Sequence, residues 1–411
     1  MTRRHTIALI TAYIVVVCAC APVSSPAPES RLSAVPPGTG LETFTILTYN
    51  VWHGLNTGEF WVTRSETPEQ NDARLQFQVA QMSAAQPDLI LLQEANPLPT
   101  RVDRYVQALA DRGLDYDAVH QVDACGVRLR GSAALIPGLN NGVAILARKR
   151  LGLTKLMGLK LSGDLGKCDS VSGLQLEELR YALIGEIRIP EIEQRFLIVS
   201  THLHSGIEAG TAFLQELDRL HRAGQLPRYP EFRWEIQQSQ LRRIGELDTL
   251  ARELRKRQRQ GPYAGFAIGG DFNFESDFPE YREAMMLRLE DPYPLAVSDG
   301  NLYSADPMRN ALIDQGQEPT IPKSLKHVIE GTPQDIAEQI QHAYRLEASR
   351  PRRIDYLFTQ GFLPGYCLRQ ELFGTETNAE GLPASDHYGV LTIFSRADKS
   401  CPKGEAPRKT L

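Results

Sequence analysis

The motif "GGDFNFESDF" places an aspartate and an asparagine two positions apart, soon after the apolar run "YAGFAI". The run predicts a buried strand, so Asp271 and Asn273 lie where that strand ends. Side chains two residues apart in an extended chain point to the same face. The carboxylate can aim or deprotonate a water molecule while the amide holds an anionic oxygen. Such chemistry needs further groups, which must come from other parts of the chain.

Polar residues stand at the ends of several other apolar runs. They are Asn50 in "FTILTYN", Glu94 in "DLILLQE", His202 in "FLIVSTH", Asp355 in "RIDYLF", and Asp386 and His387 in "SDHYGVLTIF". Each residue alone has an ordinary explanation, such as a turn, a cap or a satisfied buried histidine. As a set they recur at strand ends, where side chains can converge on one cleft. The sequence therefore predicts a polar site at one end of the strands.

Short β-rich runs with helical stretches between them must position these residues. The predicted strands are "FTILTY", "DLILLQ", "GVAILA", "YALIGEIRI", "FLIVSTHL", "GFAIGG", "RIDYLF" and "GVLTIF". Many are apolar nearly throughout, as strands covered on both sides are. Strands interspersed with helices predict a layered α/β or α+β body.

Three stretches have helical periodicity. "NDARLQFQVAQMSAAQ" places Leu75, Val79 and Met82 on one face. "TPQDIAEQIQHAYRLEA" predicts a second helix, and "WEIQQSQLRRIGELDTLARELRKRQRQ" a long third one. The predicted apolar stripe of the long helix consists of Ile236, Leu241, Ile244, Leu247 and Leu254. Its basic end, Arg252–Gln260, predicts a solvated helix terminus, with a headgroup-binding or nucleic-acid-binding patch as the alternative.

Two segments resemble insertions into this body. Ser205–Arg233 is rich in aromatic residues, and Asp299–Arg350 is polar with Pro and Gly breaks. Neither has the pattern of a second independent core, so one domain is predicted over residues 43–396. The first insertion, continued to Trp234, either shapes the substrate entrance, dips into a bilayer, or packs as a loop on the body.

The first residues predict export. "MTRRH" is basic, and the apolar run "TIALITAYIVVV" is too short for a transmembrane helix, so residues 1–19 are a predicted signal peptide. The small residues before Cys20, with Val17 three positions earlier, resemble a bacterial lipobox and imply lipidation of Cys20. An ordinary signal peptide with incidental cysteines is the alternative. Residues 20–42 are rich in Pro, Ser and Ala and predict a disordered tether. Residues 397–411 are a predicted C-terminal tail.

The predicted location is the cell envelope, through the lipid anchor. Ala21 after the cysteine resembles outer-membrane lipoproteins. The cysteines of the body, Cys125, Cys168, Cys367 and Cys401, are even in number, which in an exported protein predicts disulfides. We expect Cys125 to pair with Cys168 and Cys367 with Cys401, although four cysteines allow three connectivities.

The strings "LTYNVWHG", "LLQEA", "STHLHSG", "GGDFN", "RIDYLF" and "SDHYGV" occur in the order typical of the endonuclease/exonuclease/phosphatase superfamily. The resemblance extends from about Phe44 to Phe394, and "THLH" is similar to the neutral sphingomyelinase branch. It implies a four-layered αββα sandwich of two packed mixed β-sheets flanked by helices, with the active site at one end. It also implies hydrolysis of a phosphoester with Mg²⁺, or with Mn²⁺ as the alternative ion.

The resemblance implies a role for each polar residue. The metal-ligand candidates are Glu94, Asn50 and Asp386. Asp271 is expected to be the general base and Asn273 to hold a phosphate oxygen. His202 and His387 are expected to donate hydrogen bonds to phosphate oxygens or assist proton transfer, and Asp355 to orient a histidine, His202 in particular. The substrate-binding candidates are Asn141, His204 and Arg242.

These features predict a metal-dependent phosphodiesterase or phosphatase that acts on a phospholipid headgroup or another phosphodiester. A secreted nuclease is the alternative, but the net charge of −5 gives no global attraction to nucleic acid. A binding lipoprotein without catalysis is a third hypothesis, which the full set of polar residues disfavours. We expect a monomer, and no protein partner is predicted.

Overall fold

Two β-sheets packed face to face form the centre of the protein. This computed structural model describes residues 40–57, 62–64, 66–125, 127–128, 140–163, 166–168, 173–175, 178–206, 209–292, 302–313, 321–396 and 406–407. The strands are β1 (Thr43–Asn50), β2 (Leu55–Thr57), β3 (Val62–Arg64), β4 (Leu89–Gln93), β5 (Tyr116–Ala124), β6 (Val127–Arg128), β7 (Asn141–Arg148), β8 (Thr154–Ser162), β9 (Gly166–Cys168), β10 (Gly173–Gln175), β11 (Arg180–Ile189), β12 (Gln194–His202), β13 (Tyr263–Asp271), β14 (Asp355–Gln360), β15 (Tyr366–Phe373), β16 (Gly389–Arg396) and β17 (Ala406–Pro407). The helices are α1 (Pro68–Ala85), α2 (Thr100–Ala110), α3 (Thr211–Arg222), α4 (Tyr229–Gln260), α5 (Pro279–Met286), α6 (Lys323–Ile329) and α7 (Gln334–Ala348).

Both large sheets are mixed. One has the strand order β17-β15-β16-β1-β4-β7-β5, and the other has the order β14-β13-β12-β11-β8. β1 runs parallel to β4, and β12 runs parallel to β13. Each run predicted as a strand from the sequence forms one of these strands. β5, β8 and β15 were not predicted, and all three contain half-buried or exposed positions.

Alternate side chains of the two sheets fill the space between them. Phe44 and Ile46 of β1 and Phe196 and Ile198 of β12 belong to this inter-sheet core. Helices α1 and α2 cover the outer face of the seven-stranded sheet, and α4 and α5 cover the outer face of the five-stranded sheet. The predicted four-layered αββα sandwich is therefore confirmed.

In helix α1 the local sequence determines where the helix begins and which face packs on the sheet. Its start is a capping box, in which Gln70 N donates to Thr67 Oγ1 at 3.2 Å and Thr67 N donates to Gln70 Oε1 at 2.8 Å. Leu75, Val79 and Met82 are buried, as their spacing predicts. The helix therefore begins where its polar cap is satisfied and lays one apolar face on the sheet.

The long helix α4 corrects one predicted position and explains its basic end. Leu241 is 52% exposed, so it lies off the buried stripe. Near the C-terminus, Arg252 pairs with Asp248 at 3.0 Å and Arg257 pairs with Glu253 at 2.8 Å. These pairs within one helix are typical of a solvated helix end, as the sequence predicts.

The two insertions pack on each other and form a hydrophobic core of their own. Side chains from α3 and the start of α4 lie in one cluster with side chains from α6 and α7. The members from the first insertion are buried, namely Phe213, Leu214, Leu217, Tyr229 and Phe232. They are therefore not available to dip into a bilayer, and only Trp234 at the end of this set is exposed, at 61%. The described parts of the two insertions therefore share one core.

A disulfide joins Cys125 to Cys168, as predicted, with Cα atoms 5.8 Å apart. Cys401, the signal peptide, the lipobox at Cys20 and most of the tether lie outside the described residues. Within the described ranges, none of the helices has both the length and the apolar composition to cross a membrane.

We expect Phe196→Ala to lower the free energy of unfolding by about 3–5 kcal/mol, because it empties space between the two sheets. Phe196 is fully buried, and its ring centroid lies 4.6 Å from that of Phe362. Chemical denaturation measures the change. The control is Trp234→Ala, an aromatic truncation at an exposed position, with an expected change within about 0.5 kcal/mol. Equal losses in the two variants would contradict this account of the core.

Candidate active site

The strand registers bring the predicted residues to one end of the sandwich. In the five-stranded sheet, His202 pairs with Asp271, and Asp271 pairs with Asp355. In the facing sheet, Asn50 lies opposite the last residue of β4, and Glu94 follows directly. The predicted convergence of strand ends is therefore present in the fold.

Gly269 allows the two sheets to approach closely just before Asp271. A Cβ atom at position 269 would lie 2.5 Å from Leu91 Cδ1 and 2.9 Å from Thr48 Cβ in the facing sheet. Any side chain here would push the sheets apart. The glycine in "GGD" is thus a requirement of close sheet packing beneath the site.

The amide of Asn50 bridges the two sheets at the site. Its Nδ2 donates to Glu94 Oε1 at 3.2 Å and to Asp271 Oδ2 at 3.1 Å. Its Oδ1 accepts from Trp52 N at 3.1 Å, and its carbonyl oxygen accepts from Ser385 Oγ at 2.7 Å. The amide nitrogen therefore joins the two carboxylates, and the role of Asn50 as a metal ligand, directly or through water, stays a prediction.

Glu94 and Asp386 are two half-buried carboxylates whose charges interact. Glu94 Oε2 accepts from His53 N at 3.1 Å and lies 3.5 Å from His53 Nε2. Burial opposes ionisation of Glu94, but neighbouring groups, His53 first among them, lower its pKa to about 2. Burial, reinforced by the charge on Glu94, raises the pKa of Asp386. A divalent cation would relieve this repulsion, so the donor set fits a hard metal ion.

Alternate residues of "DFNF" serve the site and the core: Asp271 and Asn273 belong to the site, and the two phenylalanines belong to the core. Asn273 N donates to Asp271 Oδ1 at 3.0 Å, and Asn273 Nδ2 donates to Leu203 O at 3.1 Å. Phe272 and Phe274 are fully buried, with ring centroids 5.6 Å apart. The phenylalanines therefore anchor the loop in the core, and this anchoring holds the aspartate and the asparagine in place.

Three residues of the site have left-handed backbone conformations without being glycine. The φ angles are 56° at Trp52, 56° at Glu94 and 53° at Asn273. Such conformations are unfavourable for residues with a Cβ and persist where the surroundings enforce them. Their grouping here agrees with a backbone that is shaped to aim functional side chains.

Asp355 orients His387, not His202. His387 Nδ1 lies 2.8 Å from Asp355 Oδ2, and its Nε2 lies 3.9 Å from Asp271 Oδ2. The expected pairing of Asp355 with His202 is therefore wrong. Burial disfavours a charged imidazole, but the Asp355 carboxylate outweighs it and raises the pKa of His387 well above its usual value.

His202 has the opposite electrostatic environment. Its Nε2 lies 3.6 Å from Asp271 Oδ2, and it is 5% exposed. Burial, reinforced by the nearby guanidinium of Arg180, lowers the pKa of His202 to about 3. A neutral His202 can donate one hydrogen bond beside a protonated His387, which donates from both nitrogens.

Asp271, Asp355 and His387 also have ligand atoms that lie within 4.8 Å of one another. Within this group, Asp355 Oδ2 and His387 Nδ1 are joined by a hydrogen bond. Glu94 and Asp386 offer oxygen ligands only, which is the ligand type that a hard cation such as Mg²⁺ prefers, so they fit the predicted ion better.

The candidate substrate-binding residues make other contacts. His204 Nδ1 binds Glu178, and Arg242 NH2 donates to Glu178 O at 2.7 Å. Asn141 Oδ1 accepts from Gly142 N at 2.9 Å, next to it in β7. The structure thus places His204 and Arg242 in an ion-pair network with Glu178, and it shows Asn141 bonded within its own strand.

Sequence reasoning missed several residues of the site. His53 contacts Glu94, and its signal was its place in "NVWHG", three positions after Asn50. Arg180 begins β11 next to the strand of His202, but a single arginine at a strand start is a weak signal. Ser304 Oγ accepts from Asp355 N at 3.0 Å, and no motif predicts this contact.

This fold and this set of carboxylates, amides and histidines define a hydrolase site, and sequence comparison agrees. The chain belongs to the endonuclease/exonuclease/phosphatase family, whose model matches residues 47–387. It is therefore a phosphoric ester hydrolase, and divalent-metal dependence is typical of this family. None of the curated proteins matches the sequence significantly. The neutral sphingomyelinase-like branch stays a prediction.

Several solved structures are similar to this chain at low identity. TDP2 from Caenorhabditis elegans, in truncated form, is 14% identical with a TM-score of 0.49, and the match covers 86% of this chain and 98% of that one. A family protein from Leptotrichia buccalis is 15% identical with a TM-score of 0.49, covering 86% and 99%. One from Bacteroides vulgatus is 14% identical with a TM-score of 0.48, covering 86% and 99%. At these values the likenesses carry no functional argument.

We expect the pKa values of the two active-site histidines to be shifted in opposite directions from the ordinary histidine value. The pKa of His387 lies well above the ordinary histidine value, and His202 stays neutral down to about pH 3. Asp355→Asn should lower the pKa of His387, because burial then acts without the carboxylate. NMR titration of the histidine Cε1–H signals measures both, with His387→Gln and His202→Gln as assignment controls.

The raised pKa of His387 also makes the free energy of unfolding depend on pH. Because the folded pKa of His387 is raised, its contribution to stability is complete below the ordinary histidine pKa and is lost as pH rises through the folded value. In Asp355→Asn this pH dependence should shrink. An unchanged His387 titration in that variant would contradict the pairing.

Proposed function

We propose that the protein is a Mg²⁺-dependent phosphodiesterase that acts on a phosphodiester at the cell envelope. One observation carries the proposal: the buried carboxylate of Asp271 is held by Asn50 and Asn273 and faces both histidines. A carboxylate fixed in this way has one oxygen directed by the backbone and one directed toward the centre of the site. This arrangement suits activation of a water molecule.

The roles follow from the contacts. Asp271 aims the water and accepts its proton. His387, protonated beside Asp355, donates a hydrogen bond from Nε2 to the developing negative charge on a phosphate oxygen. His202 donates a second hydrogen bond while neutral. Pre-oriented donors of this kind lower the barrier because they do not reorganise during reaction.

Glu94 and Asp386 would hold the metal ion, with Mg²⁺ as the proposed ion and Mn²⁺ as the alternative. When bound, it supplies a positive charge that neutralises the phosphate oxygens. The oxygen atoms of two half-buried carboxylates are ligands of the type that Mg²⁺ prefers, with water completing its shell. Asn50 would act beside the metal by holding Glu94 in position.

We expect Glu94→Gln to raise the Mg²⁺ concentration for half-maximal activity at least about tenfold, because a charged ligand is lost. Metal titrations of activity and Mn²⁺ binding followed by electron paramagnetic resonance measure this. Glu253→Gln on α4, whose partner is Arg257, is the matched control with unchanged metal affinity. Equal Mn²⁺ affinity in wild type and Glu94→Gln would refute the assignment.

A substrate panel tests the function itself. It contains sphingomyelin, phosphatidylcholine, plasmid DNA, RNA, inositol phosphates and bis(p-nitrophenyl) phosphate, each with Mg²⁺ or with EDTA. Asp271→Asn should lower kcat by about 10²–10⁴ on the substrate that is turned over. Asp248→Asn, at an exposed position of α4, is the control and should retain full activity. Metal-dependent turnover that survives in Asp271→Asn would sink the proposed mechanism.

The panel also separates the substrate classes. Lipid turnover supports the phospholipid hypothesis, and turnover of DNA or RNA alone supports the nuclease. Net negative charge weighs against the nuclease. The buried aromatic residues of the first insertion do not support the lipid hypothesis, which therefore depends on the predicted anchor.

The envelope location has a separate test. If Cys20 is lipidated, mass spectrometry of the mature protein should show an N-terminus at this residue with acyl chains attached. Cys20→Ser should leave the protein uncleaved or release it into the soluble fraction. A mature chain that starts at another residue and carries no lipid would remove the support for this location.

A further inference from the structure

A cavity of about 380 Å³ is lined both by residues of the active site and by residues of the second insertion. The part of the lining formed by Asn273, Asp386 and His387, residues of the proposed hydrolytic site, is called its inner end. The part that includes Ile313 and Tyr344, both from the second insertion, is called its outer wall. A molecule in this cavity therefore touches the hydrolytic residues and the insertion at the same time.

The outer wall is held in place by contacts on both sides. The ring centroid of Tyr344 lies 5.9 Å from that of Phe213, so it is fixed to the core that the insertions share. At the end of α7, Glu347 Oε1 accepts from Gly210 N at 2.9 Å and from Arg350 Nε at 2.8 Å. The wall is thus formed before a ligand arrives, which lowers the entropic cost of binding.

The same contacts join the insertion to the catalytic loop. The guanidinium of Arg350 makes paired hydrogen bonds with Glu275, two residues after Asn273. Glu275 is 9% exposed, so this pair is largely shielded from water. The position of the outer wall is therefore linked to the position of Asn273.

The lining is of mixed polarity. Ile313, Pro322 and the ring of Tyr344 give apolar surface, while Glu347 and Arg352 give charged groups. Pockets of a few hundred Å³ with apolar walls and few polar groups are typical of sites for small organic ligands. An inorganic phosphate would use only the inner end of such a cavity.

We propose that this cavity binds the organic group esterified to the phosphate, a compact group of ring size with an apolar face, and that the insertions thereby determine substrate choice. The inference rests on the proposed function for the identity of the phosphate site. The cavity then receives one ester group while the phosphate lies among Asn273, His387 and the metal ligands.

Two phosphonates that contain no hydrolysable ester bond test this proposal without turnover. Isothermal titration of the full protein in Mg²⁺ compares phenylphosphonate with methylphosphonate. We expect the phenyl compound to bind at least about tenfold more tightly, since the ring fills the cavity. Ile313→Trp fills the space and should abolish the preference. Met308→Trp places the same side chain on the same segment at a residue 79% exposed, and should retain it.

A second variant keeps the test decisive if Ile313→Trp fails to fold. Tyr344→Ala removes the aromatic wall and should weaken phenylphosphonate binding while leaving methylphosphonate binding unchanged. Equal affinities for the two compounds in the wild-type protein overturn the proposal. So does a preference for the phenyl compound that neither Ile313→Trp nor Tyr344→Ala reduces.

Turnover of methyl p-nitrophenyl phosphate by the same preparations separates this inference from the proposed function. Hydrolysis that is lost in Asp271→Asn, together with equal phosphonate affinities, supports the phosphodiesterase and refutes the cavity. A phenyl preference without hydrolysis of any phosphodiester supports the cavity and refutes the phosphodiesterase.

Discussion

The amide of Asn50 is the contact on which the site depends, because it joins carboxylates from the two sheets. One nitrogen donates both to Glu94, which follows a strand of the first sheet, and to Asp271, which ends a strand of the second. Hydrogen bonds between buried polar groups are costly to break. Because one amide bonds both carboxylates, the spacing of the sheets sets the distance between Glu94, the proposed metal ligand, and Asp271, the proposed base. Phe196 and its neighbours fix this spacing by filling the space between the sheets. Gly269 permits it because it has no side chain to meet the facing sheet. Core packing and catalytic geometry are therefore one constraint.

The two histidines of the site have different pKa values because their neighbours differ in charge. His387 is paired with a buried carboxylate, and His202 lies near the guanidinium of Arg180. Both face the same oxygen of Asp271. Under the proposed function, the site would offer a cationic donor and a neutral donor to one phosphate, and the difference arises from electrostatics, since the side chains are chemically identical.

The sequence allowed prediction of those elements whose residues are uniformly buried. β1, β4, β7 and β13 are apolar runs and were recognisable, whereas β5 and β8 are half exposed and have no clear pattern. The site residues were predictable because strand ends converge. Their pairing was not: the register places Asp355 two strands away from His202, with Asp271 between them, while His387 arrives on the segment before β16. The shared core of the insertions also depends on contacts between distant segments, which periodicity cannot report.

The two insertions flank β13 in the chain, one before it and one after it, and they meet in space. The strand that carries Asp271 is thus fixed by sheet packing, whereas the insertions on either side of it in the chain pack on each other in a separate cluster. Under the proposed function, a change in the insertions would alter what reaches the phosphate site and would leave the inter-sheet core intact. The inter-sheet core and the proposed choice of substrate therefore depend on different parts of the chain, and a transplanted pair of insertions that keeps Arg350 with its partner Glu275 is a route to a new specificity on the same fold.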